Sequence, residues 1–424
     1  MRQWSMASAF LLAAAIPAAA SETGDLLVQH LYDGTLSEIA EQTHEDCYQF
    51  AADACFARGM VDLVAAYENL SQSLYRHGAV SPGSPGIALL FGRDVADEFP
   101  RPANPDPEPL TYEGLRAILE QFQNDLTGAG IYFQMADIDG ADFVIPIDVL
   151  KVRVDIDGNG TRDESENLAS LLGLYEGLMG PTGFETGGKV KTRVEPQTTI
   201  GFDPADAVWL AGYVNVAAAP VDLILAHDFS DFFDAYMHQV FPEAGLPMQG
   251  HMPRVTVFLD ASSDVWFADI IAAIHTLRFP VTDSERLAGV LERLKLITSL
   301  SRRNWELILA ETDDDRELVP SPSQTSLIPG MTVTEDTVAA WLATLDTVDE
   351  VLDGKLLVPH WRFDKGFDLA AYFTTATETD LVLLLTGQGA LPYLKDGPIA
   401  DAQSFAEANE AFGADWLNYA FWFN

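Results

Sequence analysis

Residues Ala207 to His227 read A-V-W-L-A-G-Y-V-N-V-A-A-A-P-V-D-L-I-L-A-H, and they decide the fold class. From Asp203 onward the pattern is that of long buried helices. Asn215, Pro220 and Asp222, with no basic flanks, argue against a membrane span. Downstream, 262–277 and 283–312 read as further helices, the second amphipathic over about seven turns. Thr334 caps a helix running to Leu352, which Asp353-Gly354 ends. Upstream, 26–39 is amphipathic, 60–74 carries apolar residues at three-to-four spacing, and Thr111 opens another helix. The chain is expected to be mainly α-helical with minor β, its aromatic stretch W-L-N-Y-A-F-W-F-N docking into the core.

Residues Asp155 to Glu166, D-I-D-G-N-G-T-R-D-E-S-E, carry the readable chemistry. Oxygen-bearing side chains stand at positions 1, 3, 5, 9 and 12, with glycine at position 6. Calcium takes six to eight oxygens at about 2.3–2.6 Å, so a short segment must curl around it. Asp155, Asp157 and Asn159 would point inward, Thr161 would offer its carbonyl, Asp163 would act directly or through water, and Glu166 would close the site. Gly160 permits the bend. The stretch resembles the EF-hand loop at every ligand position, which implies Ca2+ as cofactor.

Three departures stand out. Position 8 is Arg162, where paired EF-hands carry an aliphatic residue facing a partner loop. No second loop is found: Asp137, Asp139 and Asp142 lack the glycine and the closing glutamate. The entering run V-I-P-I-D-V-L-K-V-R-V, with Pro146 and many β-branched residues, reads as a strand or short turn instead of a helix. The expected architecture is a multi-helix globular domain with one strand-entered calcium loop, binding on the order of 10⁻⁴–10⁻³ M and structural in role.

Arg2, then A-S-A-F-L-L-A-A-A-I-P-A-A-A, then Ser21 describe a signal peptide over residues 1–20, so a periplasmic or secreted bacterial protein is expected. Residues 21–109 form an N-terminal helical region whose stretch 81–109 is proline-rich, a surface loop or linker. Residues 110–424 form the main helical domain with the loop at 155–166. Cys47 and Cys55 are expected to pair in an exported chain. On one straight helix, residues eight apart lie about 12 Å apart, beyond the 4.4–6.8 Å of a disulfide. A bond therefore demands a turn between Gln49 and Ala54; a continuous helix would leave two buried thiols.

With 64 acidic and 24 basic residues the net charge is −40. Nucleic acid and anionic membranes are expected to be poor partners, because phosphate binding needs clustered Lys and Arg. Such a surface suits a salty or cation-rich habitat. Beyond the loop the chain resembles secreted bacterial proteins to which no activity attaches.

For catalysis the best constellation is His227, Asp231, Asp234 and His238, on one face if 229–240 is a single helix. Its ends would lie about 16 Å apart, too far to share a metal. The bland alternative is a solvated face, with Phe229, Phe232, Phe233 and Tyr236 buried opposite. Gly183 to Lys189 fits G-x-x-x-x-G-K, but Val190 replaces the residue that would hold magnesium. The run E-T-D-D-D-R-E at Glu311–Glu317 is read as a solvated helix end before a second cation site. The leading expectation is an exported calcium-binding protein with a binding or interaction role; the alternative is a secreted hydrolase or metalloenzyme centred near His227–His238.

Overall fold

The computed structural model describes residues 21–80, 104–163, 166–168, 198–248, 261–327, 332–413 and 416–423. The expected signal peptide, positions 81–103 of the proline-rich stretch and the Gly183–Lys189 motif lie outside the described residues.

Thirteen α-helices dominate the described residues. They are α1 Glu22–Asp33, α2 Ala40–Tyr48, α3 Ala52–Arg76, α4 Tyr112–Met135, α5 Pro204–Leu225, α6 Ser230–Tyr236, α7 Ala261–Thr276, α8 Ser284–Ile308, α9 Glu335–Leu352, α10 Leu369–Thr375, α11 Leu381–Thr386, α12 Ala406–Phe412 and α13 Trp416–Phe423. Six strands make three antiparallel pairs: β1 Ile145–Asp148 with β2 Thr199–Phe202, β3 Arg278–Pro280 with β5 Glu378–Asp380, and β4 Gly366–Phe367 with β6 Leu394–Lys395. The chain is mainly α with minor β.

Helix starts follow local chemistry. The Thr111 hydroxyl accepts from Gly114 N–H at 3.0 Å and so opens α4. Asp203 and Asp206 form a reciprocal capping box around Pro204 at the start of α5. Thr334 and Thr337 do the same for α9.

The main core layers α3, α4, α5 and α8 in succession. Phe56 and Phe133 meet there with Leu27, Ala211 and Val214, all buried. Helix α5 is long and apolar enough to cross a membrane by composition alone. Here it is the central helix, and its polar residues are satisfied from α8: the Arg293 guanidinium donates to Asn215 Oδ1 at 2.6 Å and to Asp222 Oδ2 at 2.9 Å. A second cluster gathers Trp305, Trp341, Phe412 and Phe423. The aromatic segment docks as expected: Phe423 is fully buried, and its carbonyl accepts from the Trp305 indole at 3.1 Å.

Cys47 and Cys55 are bonded, with Cα atoms 4.5 Å apart. The required turn exists, since α2 ends at Tyr48 and α3 begins at Ala52, with Phe50 in the left-handed region at φ 65° between them.

Candidate metal site

The loop hangs from a strand. β1 pairs with β2 from Ile145 opposite Phe202 to Asp148 opposite Thr199, then passes through one 3₁₀ turn, Val149–Lys151, into the loop. Val154 N–H donates to Glu166 O at 3.0 Å and Leu168 N–H to Val152 O at 2.9 Å, so a short antiparallel clasp closes the base of the loop. This is the strand entry that Pro146 and the β-branched run predict. Pro146 is tolerated because a two-stranded ribbon is all edge.

Within the loop the carboxylates organise the backbone. Asp155, buried at 4% exposure, accepts from Gly158 N–H at 2.8 Å and Gly160 N–H at 3.0 Å. Asp157 accepts from Asn159 N–H, and Asn159 Oδ1 accepts from both Thr161 N–H and the Thr161 hydroxyl. Glu166 returns across the loop, taking Ile156 N–H and Asp163 N–H at 3.1 Å each. Gly158 at φ 73° and Gly160 at φ 81° supply the left-handed positions that curl the chain.

Asp155, Asp157 and Glu166 thereby present carboxylate oxygens all within 4.8 Å of one another. Asn159 and Thr161 lie on the same curl, whereas Asp163 is exposed and outside the group of three. Burial, reinforced by repulsion from Asp157 and Asp155, pushes the Glu166 carboxyl above its ordinary range. Among the described residues these three carboxylates accept hydrogen bonds from backbone N–H groups alone, and they form a donor set of hard oxygens that could hold a metal ion.

Arg162 feels the charge of Asp155 and Glu166 but makes its hydrogen bonds elsewhere. Its guanidinium forks onto Glu68 of α3, Nε to Oε1 at 2.6 Å and Nη2 to Oε2 at 2.7 Å, and reaches Gly34 O beyond α1 at 2.8 Å. Glu68 Oε1 also accepts Asp155 N–H, and Gln72 donates to Asp155 O, both at 2.9 Å. Position 8, which departs from the paired-loop pattern, thus seats the loop on helices. Glu68 and Gln72 went unread in the sequence because nothing local links them to a loop more than eighty residues away.

The histidine constellation is dispersed. α6 spans only Ser230–Tyr236, so His227 precedes it and His238 falls in the 3₁₀ turn Met237–Gln239. Asp231 and Asp234 are exposed. His227 is buried with Nδ1 2.7 Å from Leu223 O and Nε2 2.7 Å from the Thr379 hydroxyl. His238 Nε2 lies 3.5 Å from Asp269 Oδ2 of α7, and its buried Nδ1 has no hydrogen-bond partner among the described residues.

The 311–317 run departs from a purely solvated helix end. Asp313, Asp314 and Asp315 are exposed, but Glu311 is half-buried and Glu317 is 5% exposed. Both fold back onto Asp203 at the start of α5 because α8 stops at Ile308.

No protein-family model, curated protein or solved structure matches the chain.

Proposed function

We propose that the chain is an exported calcium-binding protein whose Asp155–Glu166 loop holds one Ca2+ in a structural role, fastening β1 and α3 together. The observation that carries this reading is the convergence of Asp155, Asp157 and Glu166 within 4.8 Å on a glycine-curled turn. Asp155, Asp157, Asn159 and Glu166 would supply side-chain oxygens, the Thr161 carbonyl a further one, and Asp163 an oxygen through water. Export and a binding or interaction role complete the reading; the acidic surface disfavours nucleic acid.

Calcium present at ten times its dissociation constant stabilises the folded state by about 1.4 kcal/mol. For a chain of this size that is a rise in Tm of roughly 2 °C. Asp157→Asn removes one charge from the loop but keeps an oxygen there, and should weaken calcium binding and shrink the rise while leaving the chelated protein's Tm nearly unchanged. Asp155→Ala should abolish it, from a lower starting Tm. Titration calorimetry showing no heat at millimolar Ca2+ with folded, metal-stripped protein would refute the reading.

The second reading, a secreted hydrolase or metalloenzyme near His227–His238, draws on the closeness of His238 to Asp269. Against it, the two side chains are only 4% and 12% exposed, which leaves a substrate little approach.

A further inference from the structure

Four carboxyl groups meet where the segment leaving α8 crosses the start of α5. Asp203 and Asp206 belong to the cap and first turn of α5, and Glu311 and Glu317 belong to the crossing segment. Asp203, Glu311 and Glu317 have carboxylate oxygens within 4.8 Å of one another, and Asp206 is buried beneath at 5% exposure. Asp203 opposes charge on Glu311 across the crossing. Carboxylates offer one another only acceptors, so two of them can bond directly only through a shared proton.

Few donors reach the cluster. Gln324 Nε2 donates to Glu311 at 3.0 Å and Asp315 N–H to Glu317 at 2.9 Å. Asp203 and Asp206 exchange backbone N–H bonds through the capping box. Among the described residues, none of the four makes an ion pair. The charges that face them are acidic: Asp313 and Asp315 from the segment, and the four themselves across the junction. Arg316 sits among them in sequence but is exposed.

The segment is also fastened by backbone. Gly201 N–H of β2 donates to Arg316 O at 3.1 Å, and a Cβ on Gly201 would fall 2.2 Å from Asp315 O. The Trp422 indole donates to Leu318 O at 2.8 Å. The crossing is therefore close-packed, and charge placed inside it has nowhere to go but outward.

We propose that Asp203, Asp206, Glu311 and Glu317 form a proton-held latch, closed while they share protons and opened when the protons leave, which would lift the segment after α8 from the start of α5. The inference is independent of calcium in the 155–166 loop. Burial is the first cause that raises all four groups. Repulsion from Asp203 adds to it at Asp206, Glu311 and Glu317, and repulsion from Asp313 adds to it at Asp203. Glu317 thus stands at about 7, Glu311 at about 9, and Asp203 and Asp206 above their ordinary range. Asp203, Asp206 and Glu311 interact strongly enough to titrate together. The sign is fixed: folded values above unfolded ones make the closed form complete at acid pH, then progressively lost as pH rises through about 7 and about 9.

Two readouts on the intact chain in chelator test it. Infrared spectroscopy at pH 7.5 should show a protonated carboxylic-acid band in the folded wild type, weakened in Glu311→Gln. Hydrogen exchange, corrected for its intrinsic pH dependence, should show the amides of 315–318 losing protection at least about tenfold between pH 6 and 9.5, since each displaced pH unit is worth a factor of ten. Glu311→Gln with Glu317→Gln, which keep the protonated shape, should flatten that loss. Folded wild type lacking the band overturns the latch, as does a double variant losing protection as steeply as wild type. Disappearance of the band when calcium is added to Asp155→Ala would make the cluster a cation site and also overturn it. Both wild-type readouts stand even if a variant fails to fold.

Discussion

Gly160 sits at φ 81° with no atom within 4 Å of the place a Cβ would occupy. Any penalty for a side chain there is conformational, with no steric part. Gly160→Ala should therefore cost about 1 kcal/mol, the left-handed penalty of an ordinary residue. Urea unfolding in chelator measures it directly. Calcium affinity should fall with it, because Gly160 N–H anchors Asp155 Oδ2 and any relaxation of φ moves both. His227 offers a second test at this scale. Leu223 O can only accept, so Nδ1 carries the proton and Nε2 accepts from the Thr379 hydroxyl, which in turn takes the Tyr372 O–H. Burial lowers the histidine below its ordinary value. The folded state thus binds its proton less readily than the unfolded chain. Its contribution is intact above about pH 6.5 and is eroded as pH falls below that. His227→Gln should remove this part of the acid slope, read from denaturation midpoints between pH 7 and 5 against wild type.

Between elements, one guanidinium joins the two longest-packed helices. Arg293 of α8 meets Asn215 and Asp222 of α5 with side-chain exposures of 16% and 9% for the charged pair. Arg293→Ala leaves a buried carboxylate whose remaining cation, Arg286, stands 4.0 Å away. A loss of about 3 kcal/mol is expected, the lower end for a broken buried pair. The Cys47–Cys55 bond closes a short loop between α2 and α3. By loop-closure entropy its removal in a double serine variant should cost about 2.5 kcal/mol, seen as a lower urea midpoint. Much at this scale was legible in the sequence, because its causes are local. Thr111, Asp203 and Thr334 cap the helices they announce, and Pro146 with its β-branched neighbours foretells strand entry to the loop. The histidine face was not legible as built. Asp228 accepts both Ser230 N–H and the Tyr112 hydroxyl from α4, and that tertiary bond breaks the helix that spacing alone would continue. The same distance in sequence hid the seating of the loop on Glu68 and the meeting of Asp203 with Glu317.

Over the whole molecule the net charge of −40 opposes compaction. Arginines at the element junctions are already committed: Arg162 to Glu68, Arg286 to Glu120, Arg293 to Asp222 and Arg303 to Asp137. The excess acids on the surface therefore repel one another across distances that only mobile ions shorten. The Debye length falls from about 30 Å at 0.01 M salt to about 3 Å at 1 M, so added salt removes nearly all of this long-range repulsion. It also weakens exposed ion pairs, but those contribute only about 0–1 kcal/mol each, and the partly buried junction pairs are screened less. Repulsion should win: Tm should rise with potassium chloride from 0.01 to 1 M in the presence of chelator. The same series with Asp157→Asn should rise equally, because this effect belongs to the surface as a whole and needs no ion in the loop. A Tm that falls with salt would mean that paired charges, not the unpaired acids, set the electrostatics of this protein.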